Sequence, residues 1–81
     1  MTEGAEKLIH RLSYRERECL LWSARGKTYY EIALIVGLSF ATVKTYLDMA
    51  RYKLQCATLP QATAMAVAQG IFTGEDLRRR D

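Results

Sequence analysis

The sequence predicts an all-α fold, a four-helix domain with a central helix-turn-helix at about residues 28–55. Four segments of helical character follow one another, and each is preceded by a Ser or Thr that can cap a helix. The apolar residues of the third segment recur with the period of one helix face. A turn of about three residues separates the second and third segments, and turns of that length hold two helices at a steep angle.

The first helix is predicted at about residues 14–25. Ser13 and Glu16 form the S-x-x-E pattern of a capping box, in which each side chain accepts a hydrogen bond from the other residue's backbone N–H. Gly26 ends the helix. Its apolar surface is expected from Cys19, Leu20, Trp22 and Ala24, and its exposed or partly paired face from Arg15, Glu16, Arg17 and Glu18.

The second helix, at about 29–36, begins with another capping box, formed by Thr28 and Glu31. The third helix, at about 40–55, is capped by Ser39. The period of the third helix separates an inward stripe from an outward face. The stripe consists of Val43, Leu47, Ala50 and Leu54, and the outward face contains Thr45, Asp48 and Tyr52.

Three residues favour a helix-turn-helix over an arbitrary pair of short helices. Ala33 is small enough for a close helix crossing, and Gly37 suits the positive φ that the turn requires. Val43 is expected to point back into the wedge between the helices. Their spacing is the one known for the helix-turn-helix family, whose second helix reads DNA.

The fourth helix is predicted at about 60–69, with Thr58 as its cap and Pro60 in its first turn. It is rich in small apolar residues on more than one side. Two interpretations follow: the helix packs on the core, or it forms a dimer seam by close approach of two such helices. Ala62 and Ala66 are the residues predicted for that seam.

Composition indicates one small domain of 81 residues with a net charge of +3, which fits nucleic-acid binding but also an ordinary basic domain. Cys19 and Cys56 lack metal-ligand spacing, so we expect buried thiols in a reducing compartment, no metal site and no cofactor. A signal peptide and a membrane-spanning apolar run are both lacking, so a cytoplasmic location is expected. Residues 1–11 are interpreted as an arm or linker and 73–81 as a polar tail.

The outward face of the third helix carries groups that can recognise DNA. Lys44 and Thr45 can donate to bases or phosphates, and Asp48 can accept from cytosine N4. Ser39, at the helix N-terminus, can meet a phosphate, and Arg51 adds positive charge further along, where it is also predicted to contact the phosphate backbone. The alternative is an ordinary solvated helix face, in which Asp48 pairs with Arg51 or Lys44.

The motifs also match a known family, in order and without gaps. They are L-S-x-R-E-x-E-x-L from residue 12, A-x-G-K-T from 24, E-I-A from 31, S-x-x-T-V-K from 39, K-L from 53 and G-I from 70. Residues 12–72 thus resemble the DNA-binding domain of LuxR-type transcription regulators, and especially its quorum-sensing branch. The resemblance implies a homodimer through the fourth helix and a two-fold-symmetric site on double-stranded DNA. It implies base contacts by Lys44, Thr45 and Asp48, and positions near phosphates for Lys27, Thr28, Ser39, Thr42 and Tyr46.

Three residues depart from the family pattern, and one of them, Gln55 at a position where Gly or Asn is common, is expected to matter little. Tyr46 stands where many members have His, and Asp48 stands where a basic or amide residue is common. The base preference of other members therefore does not transfer to this chain. Quorum-sensing members of the family also carry a signal-binding domain before this one, and response-regulator members carry a receiver domain. Neither is expected within these residues, so the chain is interpreted either as a stand-alone regulator or as the C-terminal piece of a larger protein.

We therefore predict a bacterial transcription regulator that binds promoter DNA as a dimer. It would recognise the DNA sequence through the second helix of its helix-turn-helix. The alternative is a small helical module that acts through protein contacts, for example by mixed dimers with a related regulator. An enzyme is not expected, because the chain has one His, no nucleophile–base pair and no phosphate-cradling Gly-rich loop.

Overall fold

A computed structural model describes residues 11–70 and residue 72, and it confirms the predicted all-α fold. Within these residues the chain forms four α-helices and no strand. The helices are α1 (Tyr14–Ala24), α2 (Tyr29–Val36), α3 (Phe40–Lys53) and α4 (Leu59–Ala68). The predicted arm, apart from Arg11, and the predicted tail at 73–81 lie outside the described residues.

The predicted caps are present at every helix start. Ser13 Oγ accepts the Glu16 N–H at 3.1 Å, while Glu16 Oε1 accepts the Ser13 N–H at 2.9 Å. Thr28 and Glu31 exchange the same pair of bonds at 3.2 and 2.8 Å. Thr58 caps α4 as predicted and also forms a third capping box with Gln61. Each such cap stabilises its helix by roughly 1 kcal/mol, so the helix boundaries follow from local sequence.

The end of α3 is the boundary that differs most from the prediction. The helix stops at Lys53, two residues before the predicted position 55. Gln55 takes a left-handed conformation with a φ of 58°, although it is not a glycine. The N–H of Cys56 then donates to the carbonyl of Arg51 at 2.9 Å, which closes the helix end without a glycine.

The core is built around the predicted apolar stripe of α3. All four stripe residues are at most 1% exposed, and α3 packs against α1, α2 and α4. The other buried hydrophobic residues are Leu12, Cys19, Leu20, Ile32, Ala62, Ala66 and Phe72. Each helix contributes to one continuous cluster, and full burial of a single aliphatic side chain stabilises the fold by about 1.5–3 kcal/mol.

Glu16 was predicted on an exposed or partly paired face, and this prediction is wrong about its exposure. The residue is only 5% exposed and is the one buried charged residue among those described. Lys53, at the end of α3, donates to Glu16 Oε1 at 2.9 Å and to the carbonyl of Arg11 at 3.2 Å. The charge is buried because a partner 37 positions away compensates it, and no local pattern reveals such a partner.

The turn between α2 and α3 has the predicted construction. Gly37 ends α2 in the left-handed conformation, with a φ of 74°. The N–H groups of Gly37 and Leu38 both donate to the carbonyl of Ala33, at 3.0 and 3.1 Å. The chain bends by 105° between the two helices, within the range of helix-turn-helix pairs. Val43 fills the angle and is fully buried.

Aromatic rings also connect the start of α2 to the start of α3. The ring of Phe40, at the start of α3, lies 4.5 Å from that of Tyr30 and 5.6 Å from that of Tyr29, measured between centroids. Arg15 of α1 braces the same region, because its Nη1 donates to Glu18 Oε1 at 3.0 Å and to the carbonyl of Val36 at 3.4 Å. These contacts hold the angle between α2 and α3 in addition to the buried Val43.

No single helix within 11–70 is long and apolar enough to cross a membrane, and α2 and α3 would meet the length and composition requirement only together, as a bent pair.

The Glu16–Lys53 pair generates a prediction about stability. Glu16→Gln keeps an oxygen for the Ser13 N–H but removes the charge that Lys53 contacts, so we expect a loss of about 1.5–3 kcal/mol in the free energy of unfolding. Glu18→Gln breaks the more exposed pair with Arg15 and should cost less than about 1 kcal/mol. Urea unfolding of both variants measures the difference, and equal losses would contradict the special role of the buried pair.

Gly37 generates a second stability prediction. A Cβ at this position would meet no atom within 4 Å, so any cost of Gly37→Ala comes from the backbone alone. We expect a loss of about 1–2 kcal/mol from the left-handed conformation, and a smaller loss for Gly37→Asn, because Asn tolerates that conformation better. Thermal unfolding compares the two variants. An alanine variant as stable as the parent would show that the turn has another conformation.

Candidate nucleic-acid interface

The outer face of α3 lies opposite the buried stripe, and this geometry decides which side chains are exposed. We define it as Lys44, Thr45, Asp48 and Tyr52. Lys44 and Thr45 are exposed, Asp48 is partly exposed, and Tyr52 is 77% exposed. The three residues predicted to contact bases therefore lie together on one accessible surface of a helix whose other side is fixed in the core.

Asp48 is paired with two cations on its own helix. Lys44 Nζ contacts Asp48 Oδ2 at 3.0 Å, and an Arg51 guanidinium nitrogen contacts Asp48 Oδ1 at 3.3 Å. Each carboxylate oxygen thus has its own positive partner. The hydrogen bond from Lys44 is the largest influence on the pKa of Asp48 and lowers it from its ordinary value; desolvation opposes this effect, and the hydrogen bond from Arg51 lowers the pKa further. The pairing that the sequence left as an alternative is the arrangement observed.

Arg51 also connects the outer face to the next helix. Its Nη1 donates to the carbonyl of Ala57 at 3.0 Å, in the connection just before α4. Arg51 was predicted to contact phosphates, and in this structure its guanidinium is shared between Asp48 and that carbonyl. A phosphate that approaches Arg51 would therefore share its guanidinium with these partners or displace one of them.

Thr45 has its hydroxyl turned toward its own helix. Its Oγ1 donates to the carbonyl of Ala41 at 3.0 Å, the bond that Thr commonly makes within a helix. The hydroxyl oxygen keeps lone pairs that can accept from a base amino group. The hydroxyl carries a single hydrogen, so donation to a base would cost the bond to Ala41.

The N-terminus of α3 offers backbone donors. Ser39 Oγ accepts the Thr42 N–H at 3.1 Å and donates to Thr42 Oγ1 at 2.9 Å. The helix start leaves the N–H groups of Phe40 and Ala41 without an intrahelical acceptor, and these groups suit an anion. Ser39 and Thr42 therefore frame the kind of position at which a phosphate contact was predicted.

The remaining predicted phosphate residues lie at two other places. Lys27 and Thr28 stand at the N-terminus of α2, where the Lys27 N–H donates to the carbonyl of Trp22 at 3.1 Å and the Thr28 side chain caps the helix. Tyr46 is half-buried, and its ring packs against the core beside the stripe. It does not belong to the outer face.

Ala62 and Ala66, the residues predicted for the dimer seam, lie on the buried side of α4. Both are fully buried in the core of a single chain, so they cannot be the side chains that meet a partner. The opposite side of α4 is exposed and apolar instead. It borders a shallow depression lined by Ala24, Thr63, Ala64, Val67 and Ala68. We call Ala64, Val67 and Ala68 the outer face of α4.

A signal for that face was present in the sequence. Ala62 and Ala66 are four residues apart and so share one side of a helix, which leaves Ala64, Val67 and Ala68 on other sides. Composition alone does not say which side is buried. The structure decides it, because Ala62 and Ala66 are fully buried and α4 packs against α1 and α3.

The described residues carry no sign of a metal centre or a reactive thiol. No group of three His, Cys, Asp or Glu side chains within 11–70 could hold a metal ion. Cys19 and Cys56 are free thiols. Burial raises the pKa of Cys19 to about 11 and also raises that of Cys56, so both thiols stay protonated near neutral pH.

The chain is similar to several known transcription regulators. The chain is 43% identical over 70 residues to the HTH-type quorum sensing-dependent transcriptional regulator VjbR of Brucella ovis, covering 86% of this chain and 27% of that protein. It is 40% identical over 67 residues to the transcriptional activator protein EsaR of Pantoea stewartii, covering 83% and 26%. It is 42% identical over 61 residues to the transcriptional activator protein AhyR of Aeromonas hydrophila, covering 75% and 24%.

The chain spans about a quarter of the length of these curated relatives, with 27% the largest share among them. Residues 10–66 match the model of the bacterial regulatory proteins, luxR family. Proteins of this family are transcription regulators that bind DNA through a helix-turn-helix, and they are not enzymes. The predicted resemblance is confirmed, and the chain belongs to the luxR family of bacterial regulatory proteins.

Proposed function

We propose that this domain binds promoter DNA sequence-specifically by laying α3 in the major groove. The observation that carries the proposal is the outer face of α3, where Lys44 and Thr45 are exposed beside the partly exposed Asp48 on a helix anchored by its opposite side. The 105° bend keeps α2 away from that face. A helix held in this way can enter the groove without moving the rest of the domain.

Phosphate contacts position α3 in this proposal. Ser39 and Thr42 stand at the start of α3, and Lys27 and Thr28 stand at the start of α2. Two helix N-termini with polar caps can meet successive phosphates on either side of the groove. Affinity is expected to fall steeply as salt rises, because phosphate neutralisation releases counterions.

The proposed binding unit is a homodimer on a two-fold-symmetric site. The outer face of α4 supports this part of the proposal, because Val67 is 41% exposed among small apolar neighbours. Small side chains allow two helices to approach closely. Two copies related by two-fold symmetry would each present one α3 to a half-site.

The wider role is also a proposal. VjbR is described as a quorum sensing-dependent regulator, and it is several times longer than the matched segment. We infer that this domain controls transcription in the bacterial cytoplasm, in response to population density. A signal-binding or receiver domain would then control when α3 reaches DNA.

Base contact is tested with a duplex selected from a random pool. We expect Lys44→Ala and Thr45→Ala each to weaken binding to the selected duplex by about 1–3 kcal/mol, and binding to random DNA by less. Arg17→Ala, at an exposed position on α1, is the control for Lys44→Ala, since it removes the same charge. Fluorescence anisotropy measures all four proteins. Equal losses of affinity on both duplexes would show that the two residues contact only the DNA backbone. If Arg17→Ala lost as much affinity as Lys44→Ala, Lys44 would not belong to the interface.

Dimer formation is tested with Val67→Glu. A carboxylate on the outer face of α4 should abolish association, since pairing would bury two like charges. Leu34→Glu is the matched control, because Leu34 is an aliphatic residue of α2 that is 84% exposed. Sedimentation velocity compares the two variants with the parent. A Val67→Glu protein that sediments like a dimeric parent would place the seam elsewhere.

A further inference from the structure

All three basic side chains of α3 are already ion-paired in the free protein. Asp48 holds Lys44 and Arg51, and Glu16 holds Lys53. The helix proposed to enter the groove therefore presents little uncompensated positive charge, although the whole chain carries +3. Binding to any phosphate would have to compete with a carboxylate for Lys44 and Arg51.

The two pairs on Asp48 can be exchanged at small cost. The side chain of Asp48 is 41% exposed, and those of Lys44 and Arg51 are 55% and 35% exposed. Exposed pairs of this kind contribute roughly 0.2–1 kcal/mol, so DNA contacts can replace them. The Glu16–Lys53 pair differs, because Glu16 lies in the core. Lys44 and Arg51 are thus held by Asp48 but can be released to DNA, whereas Lys53 stays paired with the buried Glu16.

Releasing the two cations on DNA leaves Asp48 without partners beside a polyanion. A carboxylate close to phosphates is unfavourable unless it accepts from a base amino group. In the major groove only cytosine N4 and adenine N6 provide such donors. Release is therefore favourable where a cytosine or adenine amino group meets Asp48, and unfavourable on other sequences.

We propose that Asp48 is a specificity-determining residue that acts by restraint: it withholds Lys44 and Arg51 from phosphates until its carboxylate meets a base amino group. The proposal rests on the DNA-binding function proposed above. It predicts that Asp48 lowers affinity for random DNA more than it raises affinity for the selected site.

A purely structural role is the competing explanation. Because Arg51 also donates to the carbonyl of Ala57, Asp48 could matter only by holding the connection to α4 in place. That role would change stability and would leave the salt dependence of binding unaltered. The number of phosphates neutralised, read from the slope of log affinity against log salt, separates the two.

The experiment compares Asp48→Asn, Asp48→Glu and Glu18→Gln with the parent, on the selected duplex and on a random duplex. Glu18→Gln changes the net charge as Asp48→Asn does, but it breaks a pair on α1, which packs on the core side of α3. Asp48→Glu keeps the charge. Anisotropy titrations between about 50 and 200 mM salt give affinities and slopes, and urea unfolding reports whether each variant is folded.

We expect Asp48→Asn to bind random DNA about tenfold more tightly at low salt, with a slope steeper by about one to two ions. The ratio of selected to random affinity should fall by about tenfold. Glu18→Gln should change random binding by less than about twofold, and Asp48→Glu should behave like the parent. Combining Asp48→Asn with Lys44→Gln should remove part of the gain, because one of the released cations is then missing.

The outcomes are distinguishable. A parent that binds the selected duplex while Asp48→Asn binds random DNA no more tightly than Glu18→Gln would overturn the restraint and leave the DNA-binding function standing. A parent that binds no duplex at low salt would overturn the function and the restraint together. A folded but unstable Asp48→Asn protein with an unchanged slope would support the structural role and overturn the proposal.

Discussion

The burial of one face of α3 is the constraint on which the rest of the structure depends. Its apolar stripe fills the space between α1, α2 and α4, so the helix cannot rotate about its axis without exposing four core side chains. The side that remains outside is therefore fixed as accurately as the core itself. A surface suited to recognition arises here because packing leaves only one possible orientation, and α3 needs no flexible loop to present it.

The charges of α3 are arranged around the same division. Glu16 forms an ion pair with Lys53 at the edge of the core, and this pair joins the start of α1 to the end of α3. Asp48 forms ion pairs with Lys44 and Arg51 on the outer face of α3, where water can reach them. The first pair fixes geometry, because separating it would leave a buried charge. The pairs of Asp48 compensate charge on an accessible surface, so their strength depends on the salt concentration and on any charged ligand that approaches.

Sequence predicted most of the fold because most of its determinants are local. The caps at Ser13, Thr28, Ser39 and Thr58 and the stop at Gly37 act within a few residues, so their patterns are legible and their helices lie where expected. The failures involve partners distant along the chain. Glu16 was predicted on an exposed face, because its partner Lys53 lies 37 positions away and no local pattern reveals it. Ala62 and Ala66 were assigned to a dimer seam, because periodicity does not reveal which side of α4 faces α1. The pairing of Asp48 was foreseen as an alternative, since its partners lie within one helical turn.

The connection between α3 and α4 links the two surfaces proposed for function. The Cys56 N–H donates to the Arg51 carbonyl, and the Arg51 side chain donates to the Ala57 carbonyl, so the end of α3 and the approach to α4 are tied by two hydrogen bonds. The angle between the helices is thereby set within one chain. In the proposed dimer, contact through α4 would then determine the separation and orientation of the two α3 helices. Half-site spacing on DNA would follow from this short connection, and Arg51 would join the surface that recognises bases to the surface that sets their spacing.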